Sequence, residues 1–194
     1  SSYALANNGI LPKRDALPGS SWWNVGEEPD ELGRVQSNSA HLFQLVRHEY
    51  VTVDALGSPA NPHAPAADQL TANHHDFERP EQISFSYQNQ FTPYAIRLDK
   101  HAGMVVLADK NPLIVVKNGK FTFADAMPHD ACSGMYGKAG QNMLFTNGAV
   151  AWSESPVIKN ETTGKLDNLY TSPGVKAYTG TELPSHEGDV QLVP

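Results

Sequence analysis

Two Asn-Gly dipeptides, each set between apolar runs, constrain this chain more than any other feature of it. A type I′ turn needs positive φ at both central residues, and Asn followed by Gly meets that need at the lowest steric cost. Residues 143–145 and 149–152 flank Asn147-Gly148, which predicts a tight antiparallel hairpin. Alternation places Met143 and Phe145 on one face, and Val150 and Trp152 on one face of the return strand. Core packing is the ordinary role of such side chains. A second hairpin is predicted from residues 113–116, Lys117-Asn118-Gly119-Lys120 and residues 121–123.

Between and around the hairpins the sequence is broken by turns. It holds 15 Gly and 14 Pro in 194 residues, which favours loops over long helices. Leu42, Leu45, Val46 and Tyr50 follow helical spacing behind Ser37 and Asn38, either of which can cap. One helix is therefore predicted over residues 38–48, its apolar stripe lying on a sheet. Residues 82–90 alternate Ile83, Phe85 and Tyr87 with Ser84, Ser86 and Gln88, the pattern of a half-buried strand with its polar face in water. Residues 104–108 read as a short buried strand. Residues 1–8 read as the end of a helix stopped at Asn8-Gly9. Residues 172–194 read as a tail wrapping the surface of a single domain spanning 1–194.

The formal net charge is −7 and Lys and Arg are not clustered, which argues against nucleic acid as a partner. No apolar run approaches the about 20 residues that span a bilayer. The single cysteine, Cys132, excludes an internal disulfide and a Cys-based zinc cluster. It lies three residues from His129 and is read as a packing residue rather than a nucleophile. Gly-rich phosphate loops and the nucleophile-elbow and zinc-helix motifs are missing from the sequence. Asn160-Glu161-Thr162 fits the N-glycosylation triplet.

A few residues still carry candidate chemistry. His74, His75 and Asp76 are adjacent in a loop and could reach a metal, with His129 or Asp130 completing a hydrolytic zinc site. Trp22-Trp23 sits between turn residues, where an aromatic pair either anchors a loop or offers flat faces to a sugar or peptide.

Several segments, taken in order, resemble the prepilin-type, pseudopilin-like proteins of planctomycete bacteria. They are residues 37–47 (SNSAHLFQLVR) with Tyr50-Val51, residues 83–89 (ISFSYQN), residues 105–112 (VVLADKNP), residues 140–150 (GQNMLFTNGAV) and residues 167–171 (DNLYT). The resemblance implies an α+β fold: a pilin-like head with an antiparallel sheet packed against one main helix and long irregular loops. It implies that residues 1–8 are the far end of a hydrophobic N-terminal helix, the one route by which the protein would meet a membrane. It implies a non-enzymatic structural subunit of a pilus, a pseudopilus-like filament or a secretion apparatus. Such a subunit would self-associate at the cell surface or on the periplasmic side of a bacterial envelope. No cofactor is implied beyond calcium, which some pseudopilins hold in a C-terminal loop. By location, Asp167 and Asn168 would be its ligands here. The competing readings are an extracellular carbohydrate- or peptide-binding module built on Trp22 and Trp23, and a metal-dependent hydrolase built on His74, His75 and Asp76.

Overall fold

The computed structural model describes residues 2–160 and 163–194, and over these the chain is dominated by antiparallel strands. The helices are single turns or little more: α1 (Ser2–Ala6), α2 (Ser39–Leu42) and α3 (Gln44–Arg47). Nine strands follow among the described residues: β1 (Phe85–Gln88), β2 (Val105–Asp109), β3 (Ile114–Lys117), β4 (Lys120–Phe123), β5 (Gln141–Phe145), β6 (Val150–Ser153), β7 (Val157–Lys159), β8 (Leu166–Asn168) and β9 (Leu192–Val193). The main sheet has the order β6-β5-β2-β1-β9, and β3-β4 and β7-β8 are separate two-stranded ribbons. Every pairing of these strands is antiparallel.

The expected α+β head, with one main helix on a sheet, is not what forms. The segment predicted as helix 38–48 is two successive turns, α2 and α3, joined at Phe43. Its composition explains why it is no surface layer. Ser39, Ala40, His41, Leu42, Phe43, Gln44 and Val46 are all buried and only Leu45 and Arg47 of the two turns are partly in water, so the segment lacks the broad solvent face of an amphipathic surface helix. Ser37 supplies the cap through Ala40 N–H at 3.3 Å, while the Asn38 side chain is engaged elsewhere. The segment ends in a Schellman motif, with Glu49 at φ +57° and Tyr50 N–H on Leu45 O at 2.8 Å.

Both Asn-Gly hairpins form, and their turns differ. Asn118 and Gly119 have φ of +52° and +71°, the type I′ geometry, between Lys117 and its partner Lys120. At the other hairpin only Gly148 is left-handed, at φ +84°. Gly148 N–H donates to Phe145 O and Phe145 N–H to Ala149 O, each at 2.9 Å. That is a three-residue loop closed by a bulge at glycine, not the predicted type I′ turn.

β1 is buried on both faces rather than half-buried. Ser84, Ser86 and Gln88 have no exposed surface. Gln88 Nε2 donates to Asp189 O at 3.0 Å and its Oε1 accepts Gln191 N–H at 3.1 Å, while Ser86 Oγ accepts Asn111 N–H at 2.8 Å. The polar face expected in water is instead covered along its length, at Ser84 by Asn61, at Ser86 by Asn111 and at Gln88 by residues 189–191. The predicted surface tail is corrected with it. Val190, Leu192 and Val193 are buried, and β9 pairs with β1. Two buried asparagines hold this segment in place. Asn38 Nδ2 donates to Tyr87 O and Val193 O, and Asn111 Nδ2 donates to Tyr170 O and Leu192 O. The Asn160-Glu161-Thr162 triplet runs into residues 161 and 162, which lie outside the described residues.

α1 ends as read, with Asn8 and Gly9 both left-handed and Gly9 N–H on Ala4 O at 2.7 Å. Among the described residues no helix is long and apolar enough to cross a membrane.

Candidate functional site

The loop histidines are used locally. His74 Nδ1 accepts Thr71 N–H at 3.0 Å, and His75 Nε2 stands 3.7 Å from Glu28 Oε2. Asp76 turns inward and accepts from Ser37 Oγ and from Gly26 N–H. His129 and Asp130 lie on an exposed loop, where the His129 ring meets Phe123 and its carbonyl accepts from Asn168 Nδ2. Among the described residues no group of three His, Cys, Asp or Glu is placed to hold a metal. Asp167 is committed to structure as well, accepting from Asn160 Nδ2 at 2.9 Å and Val190 N–H at 3.1 Å. Cys132 is buried and its thiol donates to Glu154 O. Burial, then the charges of Asp130 and Glu154, push its ionisation up, away from a nucleophilic thiolate.

Asp76 nevertheless has a consequence for stability. Its carboxyl is fully enclosed and one oxygen, Oδ1, has no hydrogen-bond partner among the described residues. Burial raises its pKa to about 6, more than its hydrogen bonds lower it. The folded state therefore keeps a proton that the unfolded chain has lost by about pH 4. The stability tied to this proton is complete below pH 4 and is lost as pH rises to 6. Its size is roughly 3 kcal/mol. In urea unfolding, the stability of Asp76→Asn relative to the native sequence should rise by about that amount between pH 4 and 7. A relative stability that stays flat over this window would refute it.

Trp22 is not available to a ligand. It is fully buried, its Nε1 donates to Glu182 O at 3.0 Å, and its ring lies edge-on to Trp23 and Tyr178. The reading of Trp22 and Trp23 as a paired binding platform falls with that burial. Both backbone groups of Trp22 are bonded too, to Gly180 O and Asn38 N–H.

The surface that stands out is one the sequence assigned to the core. β6 is the edge of the main sheet, and its side chains face water: Val150 is 69% and Trp152 46% exposed. The packing role of the hairpin thus holds for Met143 on β5 and fails for β6. Trp152 is held rather than loose. Its ring meets Tyr136 edge-on at 5.6 Å, and a Cβ on Gly140 would come within 2.6 Å of it, so glycine there makes room for the ring. Phe145 N–H bonds Ala149 O, and alternation along the ladder then turns the N–H and C=O of Val150 and Trp152 outward. These groups and two apolar side chains form a bare strand edge without a charged residue in it. Nothing local in the sequence marks Val150 and Trp152 as exposed; the strand order decides it.

Comparison of the chain with protein-family models, with curated proteins and with solved structures finds no match.

Proposed function

We propose that this protein is a non-enzymatic structural subunit that associates with copies of itself at a bacterial cell surface or on the periplasmic side of the envelope, as part of a filament or secretion apparatus. The observation that carries the reading is the uncharged outer edge of β6, with Val150 and Trp152 in water. Soluble proteins ordinarily blunt such edges with Lys, Pro or a covering loop. A second copy can add its own β6 antiparallel to this one, satisfying the outward N–H and C=O groups and covering both side chains. The resemblance of residues 37–47, 83–89, 105–112, 140–150 and 167–171, in that order, to prepilin-type proteins supports the same class of function.

The test is sedimentation velocity over a concentration series. The native chain should self-associate reversibly. Val150→Pro removes an outward donor while leaving the β5 ladder intact, and Trp152→Glu places a charge on the edge. Both should sediment as monomers with unchanged melting temperature. A native chain that stays monomeric to millimolar concentration, or variants that associate as strongly as it does, would refute the proposal.

A further inference from the structure

A cleft of about 360 Å³ opens on a different part of the surface, within the range of small-ligand sites. Its apolar lining comes from Ile114 and Val116 of β3 and from Met127 and Met135. Lys110, Lys138, Glu81 and the His63 imidazole also line it. In a chain of net charge −7, two lysines on one apolar cleft run against the overall balance.

Lys110 is the distinctive member. It follows β2 directly, and its ammonium lies 5.4 Å from the centre of the Phe121 ring. Among the described residues its hydrogen-bond acceptor is the Pro80 carbonyl, at a long 3.4 Å. Glu81 acts on its charge, yet no ion pair joins the two among the described residues. An ammonium has three donors, and Lys110, which lines the cleft, has the Pro80 carbonyl on one of them. Burial lowers it to about 8, which leaves it charged at neutral pH in apolar surroundings.

We propose that this cleft binds a small amphipathic monoanion, a carboxylate joined to an unbranched apolar chain, with the carboxylate on Lys110 and the chain against Ile114, Val116 and the two methionines. The carboxylate supplies the counter-charge and acceptors that Lys110 lacks. A flexible thioether lining adapts to an alkyl chain. A dianion fits less well, because Glu81 shares the cleft and one buried ammonium cannot balance two charges.

The probe is sodium octanoate, titrated into the 15N-labelled full chain and followed by amide shifts, with 1-octanol as the uncharged control. Octanoate should bind saturably and shift the amides of Val115 and Met135, and octanol should bind at least ten-fold more weakly. Lys110→Gln should weaken octanoate at least ten-fold, and Lys110→Arg should retain most of the affinity. Affinity should fall between pH 7 and 9 as the ammonium is lost. Glu81, His63 and Lys138 face the same cleft, so the Lys110→Gln titration isolates the share of Lys110. The melting temperature of each variant separates loss of binding from loss of fold. Absent saturation, octanol binding as tightly as octanoate, or a folded Lys110→Gln that binds as well as the native chain would each overturn the proposal.

Discussion

Deleting residues 189–194 is expected to abolish cooperative unfolding altogether. Val190, Leu192 and Val193 are at most 1% exposed, and each buried aliphatic side chain contributes about 2 kcal/mol. The deletion also strips partners from groups that stay inside. Asn38 loses Val193 O, Asn111 loses Leu192 O, and Gln88 loses both of its bonds to this segment. An unpaired buried polar group costs about 1–3 kcal/mol. A domain holds only about 5–15 kcal/mol in total, so the losses exceed what this fold can spare. Circular dichroism against temperature should show a broad, non-sigmoidal change. A truncated chain that melts sharply within a few degrees of the native one would show that β9 is dispensable.

Trp22→Ala is expected to destabilise the fold by about 4 kcal/mol, the usual range for emptying a buried aromatic site. For a chain of this size that lowers the melting temperature by about 10 °C. Three contributions meet at this residue: the volume of a fully buried indole, the Nε1 bond to Glu182 O, and the ring contacts with Trp23 and Tyr178. Trp22→Phe keeps most of the volume and loses only the hydrogen bond, so it should cost about 1–2 kcal/mol. If Trp22→Ala melted within about 2 °C of the native chain, neither the packing of the indole nor its tie to residues 178–182 would be stabilising this loop.

What could be read from the residues and what could not divides along sequence separation. The two Asn-Gly hairpins, the stop at Asn8-Gly9 and the cap from Ser37 were legible because each is decided within a few residues. The turn types were harder, since Asn-Gly fits both a type I′ turn and a bulged three-residue loop, and the ladder decides between them. The helix over 38–48 failed as a main layer for a tertiary reason. Its polar positions, among them His41 and Gln44, are enclosed by other parts of the chain, and periodicity registers polarity rather than enclosure. His41 shows the price of that enclosure. Its Nδ1 accepts Arg14 N–H, and burial, with the charges of Lys13 and Arg14, pushes it down to about 3, so it stays neutral. The polar face of β1 misled in the same way, because its cover comes from distant segments: Asn61 on Ser84, Asn111 on Ser86 and, about a hundred positions on, Asp189 and Gln191 on Gln88.

The candidate site was the least legible part. An adjacent pair of histidines followed by an aspartate looks like a ligand set in one dimension. In three dimensions His74 closes its own loop while Asp76 braces Ser37. Val150 and Trp152 look like core in one dimension, and only the strand order places them at an edge. Lys110 carried no local signal at all, since the cleft beside it is assembled from β3, a turn near Met135 and loops around Asn61 and Glu81.

The dependence of β1 on β9 sets a timetable for biosynthesis. A strand spanning Phe85–Gln88 leaves the ribosome long before Leu192 is translated. Until then the Gln88 side chain lacks both of its partners, Asn38 has Tyr87 O but not Val193 O, and the outer edge of β1 stays open. The nascent polypeptide must therefore wait, with one flank of β1 unprotected, for residue 193 to emerge before the sheet is complete.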